Sequence, residues 1–173
     1  YVKGAWVELE GKGYQPVGRF LRSGHPQNAC SAGDLKLVRM GATLCNDAVL
    51  ERAKNGKADG DAIDTAQEQV AEGLGWRMVG DPTEGALVVA SAKGGLWKEE
   101  IGSSYPRVAE IPFDSDRTCM TTVHASHDGA AHENPYTAYV KGAPDILIDM
   151  CNRINREATS VPLERRDRSQ SPA

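Results

Sequence analysis

Apolar residues recur at helical spacing through DLKLVRMGATLCNDAVL, where Leu37, Met40, Leu44, Cys45 and Ala48 predict a half-buried helix with Asp34 as its N-cap. GDPTEGALVVASAKGG predicts a second helix more sharply. Asp81 can cap it, Pro82 suits its first turn, Glu84 stands three residues past the cap, and Gly94 or Gly95 can stop it. Leu87, Val88 and Ala92 form its inward stripe. A short third helix, APDILIDMC, starts at Pro144 with Ile146, Leu147 and Met150 expected inward. Elsewhere the period is two. Residues 1–9 and YQPVGRF predict a hairpin around Gly11 to Gly13, and YPRVAEIPF, CMTTVHAS and PYTAYVKG predict three more strands. LRSGHPQNACSAG is rich in turn formers and reads as a surface loop.

Strands that pair locally, with helices gathered between them, predict an α+β domain: an antiparallel β-sheet flanked by helices. A chain of 173 residues fits one such domain and can build a core without disulfides or metals. The polar, glycine-interrupted stretch 52–75 reads as a surface insertion, and residues 154–173 as a polar tail.

Charge and chemistry narrow the function classes. Lys and Arg number 20 against 24 Asp and Glu, for a net charge of −4, and no block of five like charges occurs. No broad footprint for nucleic acid is expected, so any phosphate must be gripped locally. The cysteines are widely spaced without a CxxC pair, and His124, His127 and His132 lie in HASHDGAAHENP, which reads as a hairpin loop; no metal site is expected. No run of 18 apolar residues exists and no signal-peptide core opens the chain, so this piece is expected outside the membrane. It nevertheless begins without Met in strand-like sequence, which is compatible with a fragment of something longer.

The common catalytic fingerprints are missing: no GxxxxGK precedes Ser or Thr, no GxGxxG follows a strand, and there is no GxSxG, HExxH or kinase signature pair. Three short motifs remain, each with two readings. In GDPTEGAL, Asp81 and Glu84 are spaced as a cap and its reciprocal partner; alternatively Glu84 or Thr83 faces a cleft and accepts a hydrogen bond from an amino group such as adenine's. In IPFDSDRTCM, Phe113 is either a core ring or an aromatic at a cleft edge, where stacking a base is worth ~1–3 kcal/mol. In YVKGAPDIL, Lys141 is either a solvated strand end or, with Gly142 and the helix start at Pro144, a seat for a phosphate or purine.

Taken in order, CND, GDPTEGAL, FDSDRTCM and KGAPD resemble the nucleotide-binding domain of P-type cation-transporting ATPases, most nearly the calcium-pump-like type II group. The resemblance runs from about Tyr1 to Cys151 and continues weakly in VPLERR. It implies that adenine stacks on Phe113, that Glu84 meets the adenine amino group, that Lys141 and Gly142 form the purine pocket's floor, and that Met120 is a further apolar pocket residue. Thr83, Ala143 and Thr118 belong to the same implied site, and Arg117 is expected to pair with Asp114 or Asp116. The implied ligand is ATP, as MgATP, and the implied partners are the phosphorylation and actuator domains of one parent pump, an integral membrane protein with this domain on its cytoplasmic side.

The family's phosphorylated Asp-Lys-Thr-Gly-Thr motif and its actuator loop are not in the sequence, and the family's last strand of this domain lies beyond it. The chain is therefore expected to bind ATP without hydrolysing it, and no residue is expected to be catalytic. It departs from the family at Thr118 and Cys119, where a lysine or arginine, often with a second basic residue, is usual. Weaker ATP binding is expected in consequence, and a regulatory domain that has lost tight nucleotide binding is the alternative reading.

Overall fold

The computed structural model describes residues 2, 5–28, 33–52, 69–70, 75–125, 135–156 and 159–168. Strands β1 (Glu8–Leu9), β2 (Phe20–Arg22) and β3 (His25–Gln27) form an antiparallel sheet in that order. The expected first hairpin is present, but β3 lies in the stretch read as loop. Its cause is local: Ser23 (φ 52°) and Gly24 (φ 76°) are both left-handed, and this two-residue turn matches the twist of the strands it joins.

Helix α1 (Gly33–Leu44) begins one residue before Asp34, which lies in its first turn. Leu37 is exposed, contrary to its expected inward role, whereas Leu44 is buried as expected, along with Leu35, Arg39 and Thr43. Two of those four are polar, so only part of the buried face carries a hydrophobic signature. Both polar residues bond within the protein: Arg39 Nη2 donates to Ser91 O at 2.8 Å, Thr43 Oγ1 donates to Arg39 O at 2.9 Å, and the guanidinium lies 5.4 Å from the Phe20 ring centre.

Next come β4 (Val49–Arg52), β5 (Gln69–Val70) and β6 (Trp76–Val79), an antiparallel sheet in the order β4-β6-β5. Most of the 52–75 insertion lies outside the described residues. Helix α2 (Pro82–Lys93) packs on this sheet and on α1, burying Val88, Val89 and Ala92 against Ala48, Leu50 and Met78. Burying a valine, leucine or methionine side chain is worth ~1.5–3 kcal/mol. Gly85 lets the helix lie close, since a Cβ there would stand 2.5 Å from Met78 Cγ. Val88 and Ala92 face inward as expected, while Leu87 is half-buried.

Helix α3 (Lys98–Ser104) leads into a third antiparallel sheet of β7 (Arg107–Asp114), β8 (Cys119–Ala125) and β9 (Tyr136–Gly142), in that order. Met120, Thr122 and His124 alternate as the buried side of β8, and Thr122 Oγ1 donates to Leu44 O at 3.4 Å, so this side meets the end of α1. His124, shared by the expected strand CMTTVHAS and the expected histidine-rich loop, is strand-borne and buried, its ring nitrogens 2.8 Å from Tyr105 O and 3.0 Å from Thr122 Oγ1. His127 and His132 lie outside the described residues.

Helix α4 (Pro144–Met150) follows β9 directly, but Ile146 and Met150 are exposed and only Leu147 is half-buried, so its expected inward stripe does not form. The stretch expected as a polar tail is polar but folded: β10 (Arg153–Arg156) and β11 (Thr159–Pro162) pair, and α5 (Arg165–Arg168) turns back. Arg168 donates to Ile148 O at 2.7 Å and Cys151 O at 3.0 Å, capping the end of α4, and Arg156 pairs with Asp167. The α+β class with antiparallel pairing holds, though the strands form several small sheets instead of one. Among the described residues no helix is long and apolar enough to cross a membrane.

Candidate functional site

Asp81 stands at the start of α2 with extended backbone, and its carboxylate accepts the N–H of Thr83 at 2.8 Å and of Glu84 at 3.2 Å. Those two donors, Glu84's first, hold the Asp81 carboxyl below the usual carboxylate range. Only half of a capping box forms, because Glu84 does not reach back. Its Oε2 accepts the N–H of Asp47 at 2.8 Å and of Ala48 at 3.3 Å, and its Oε1 accepts from Lys141 Nζ at 2.6 Å. Asn46 completes the wrap from below: its amide donates to Glu84 O at 2.9 Å and Ala42 O at 3.0 Å, and its Oδ1 accepts Ala48 N–H at 2.9 Å. The Glu84 side chain is 21% exposed and that of Lys141 27%, so the pair is sheltered yet reachable.

Strand register assembles the rest. Lys141 sits opposite Met120, Gly142 opposite Cys119, and Cys119 opposite Asp114, the neighbour of Phe113. Phe113 thus lies at the same sheet end as Lys141, beyond a register shift between Ile111 and Asp114, and is 65% exposed. Of its two readings, the core ring is excluded. Met120 is buried and its carbonyl accepts from Cys45 Sγ at 3.6 Å, so it lies beneath this surface instead of lining it. Thr83 is exposed beside Glu84.

The β7–β8 turn is tied by Asp114, whose Oδ1 accepts the N–H of Asp116 at 2.8 Å and of Arg117 at 3.0 Å. The Arg117 guanidinium does not pair with Asp114 or Asp116; it reaches Cys119 Sγ and Thr121 Oγ1, each at 3.4 Å. Thr118 closes the turn at φ 50°, a left-handed conformation unusual for a β-branched residue, and its carbonyl accepts Ala143 N–H at 3.1 Å. Gly142 is required there: a Cβ would stand 2.4 Å from Thr118 O and 2.5 Å from Cys119 Cβ.

Two cations that the sequence motifs did not single out complete the neighbourhood. Lys98 Nζ donates to the carbonyls of Asn46 and Ala48, both at 2.8 Å. Arg107 Nη2 donates to Leu44 O at 3.1 Å and Asn46 O at 2.8 Å, while its Nη1 pairs with Asp47 at 2.7 Å and Glu110 at 2.8 Å. Burial first, and the nearby Arg107 second, push the Lys98 pKa down. Neither residue lies in a recognisable motif; Asn46 did, in CND, but its role as a buried bridge had no separate signal.

This arrangement, an exposed ring beside a sheltered carboxylate and ammonium at one sheet end, sits within a family-wide match. Residues 35–172 match the family model of the P-type ATPase cytoplasmic domain N, and the chain belongs to that family. It is 29% identical over 165 residues, 95% of its length, to the calcium-transporting ATPase of Bacillus subtilis. It is 33% identical over 156 residues, 87% of its length, to the cation-transporting ATPase pma1 of Synechocystis. A probable cation-transporting ATPase F of Mycobacterium tuberculosis is 39% identical over 97 residues, 56% of this chain. The chain spans 16%, 14% and 10% of the length of those three relatives.

Proposed function

We propose that this domain binds ATP by its adenine and presents the γ-phosphate to an aspartate on a separate phosphorylation domain, so that the parent pump drives a cation across a membrane. One observation carries this reading: the Lys141–Glu84 pair, 2.6 Å apart, shares a sheet end with the largely exposed Phe113. Lysine only donates hydrogen bonds and a carboxylate only accepts them. Side by side they match the adenine edge, whose amino group donates to Glu84 and whose N1 accepts from Lys141. Hypoxanthine reverses both groups, so inosine triphosphate should bind more weakly.

Phe113 supplies the stacking face, with Thr83 and Ala143 at the rim and Thr118 on the phosphate side. Catalysis by this chain is then positioning of the base, with no nucleophile or general base of its own. Among the described residues no three His, Cys, Asp or Glu side chains gather as metal ligands, and Mg2+ is assigned to the phosphates of ATP. Relatives named for calcium support calcium as the transported cation.

Titration with ATP, followed by amide chemical shifts and calorimetry, tests the proposal. Shifts at Phe113, Glu84 and Lys141 are expected, and Phe113→Ala should weaken binding by roughly tenfold or more while leaving the melting temperature unchanged, because the ring is exposed. Thr118, in place of a basic residue, favours the second reading, a regulatory domain without tight nucleotide binding. Silence at all three positions would decide for it.

A further inference from the structure

Glu84 can read a base only if its carboxylate is held at a fixed angle to Lys141, and what holds it is the backbone of residues 46–48. Asn46 and Ala48 of that loop are fully buried, Ala48 within the core under α2, while Asp47 between them is exposed. A recess of about 270 Å³ borders it at Asp47, with Thr43, Leu44, Lys98, Tyr105 and Arg107 among its other lining residues. Packing places the loop, and on the side of the recess hydrogen bonds set the direction of its peptide groups.

Lys98 and Arg107 supply them from opposite flanks, α3 and β7. Between them they donate four bonds to three alternate carbonyls at and just beyond the end of α1, those of Leu44, Asn46 and Ala48, with Asn46 O receiving one from each. The Asn46 carbonyl and the Asp47 N–H share one peptide plane, so the two bonds to Asn46 O aim the Asp47 N–H at Glu84 Oε2, while the bond to Ala48 O holds the next turn of the loop, whose Ala48 N–H also reaches Oε2. Arg107 adds a direct hold on the Asp47 side chain. Cations at a helix C-terminus are favourable in themselves, so a purely structural capping role is the competing explanation.

We propose that Lys98 and Arg107 are positioning residues for the purine-reading pair, acting through the 46–48 loop on Glu84. The inference rests on the adenine reading above. It separates from simple capping by its effect on base choice. A cap that only stabilised the fold would, when lost, weaken all nucleotides alike. A clamp that orients Glu84 would, when lost, weaken the nucleotide whose base Glu84 reads.

The test is calorimetric titration of the full 173-residue chain with ATP and with inosine triphosphate, together with amide exchange at Asp47 and Ala48. Losing one well-placed hydrogen-bond donor corresponds to about fivefold in affinity. Lys98→Met should weaken ATP by about that factor, leave inosine triphosphate nearly unchanged, and speed exchange at both amides. Lys98→Arg, which keeps a donor, should recover much of the ATP preference. Should Lys98→Met fail to fold, Arg107→Lys applies the same criterion, since it keeps the charge but loses the fork that reaches two carbonyls. An unchanged ratio of the two affinities in these variants overturns the positioning role. Absence of any ATP preference in the unaltered chain overturns the adenine reading itself.

Discussion

Gly142→Ala puts the geometry of the site under a direct mechanical test. The added Cβ would meet Thr118 O at 2.4 Å, Cys119 Cβ at 2.5 Å and Cys119 Cα at 2.8 Å, and two of those three atoms are backbone that no rotamer change can move. Reaching ordinary contact requires β8 and β9 to part locally by about 1 Å, a strain of the overpacking kind that costs ~1–3 kcal/mol. The same movement stretches the Ala143 N–H bond to Thr118 O, now 3.1 Å, for about 1 kcal/mol more. The sum is about 2–4 kcal/mol, which for a domain of this size corresponds to a melting temperature lower by roughly 5–15 °C. Circular dichroism melting with a urea titration reads both quantities. Gly102→Ala is the control: nothing lies within 4 Å of its added Cβ inside α3, so it should be neutral or gain up to ~1 kcal/mol from better helix propensity. A Gly142→Ala protein that melts within about a degree of the wild type would refute the close-approach account.

Three further outcomes are expected. Thr118→Asn should raise the urea midpoint by ~0.5–1 kcal/mol equivalent, because Asn tolerates the left-handed backbone that a β-branched residue resists; no gain would mean the turn stores no strain there. Thr118→Lys should tighten ATP binding about tenfold at low salt where Thr118→Asn does not, and equal affinities for the two variants would remove any role for a cation at this position. Asp81 has a folded pKa below its ordinary value of 3.8, so the stability it contributes is complete at neutral pH and disappears as pH falls through that lower folded value. The stability gap between wild type and Asp81→Asn should therefore close in acid, and a gap independent of pH would sink the assignment.

How much of this was legible beforehand follows from where the signals lie. The helix at GDPTEGAL announced itself because its cap, first-turn proline and stop are local chemistry, and Asp81 caps as expected. The diversion of Glu84 was not readable from spacing, since the same interval serves a reciprocal cap equally well and only the approach of residues 46–48 and Lys141 decides it. In α1 the apolar period includes Leu37 but passes over Arg39 and Thr43, which are buried between Leu35 and Leu44; Arg39 is accepted there because Ser91, 52 residues away, offers its carbonyl. Strand β3 was missed although Ser23 and Gly24 are a hairpin signal, outweighed by the turn formers that follow. Phe113, Glu84 and Lys141 were named from three separate motifs, and the fold brings them to one sheet end; Lys98 and Arg107 act through main-chain carbonyls, which leave no mark on sequence.

The bonds from Arg168 to the end of α4 bear on where this unit may be cut. Every residue assigned to the base lies before Cys151, so a shorter piece ending there would keep all of the recognition chemistry. It would also release the carbonyls of Ile148 and Cys151, at the end of the helix that begins two residues after Gly142. The family match extends to residue 172 in keeping with this. A cut at Cys151 should therefore cost stability at the end of α4, whose anchor, Arg168, lies 17 residues past the Cys151 carbonyl it holds.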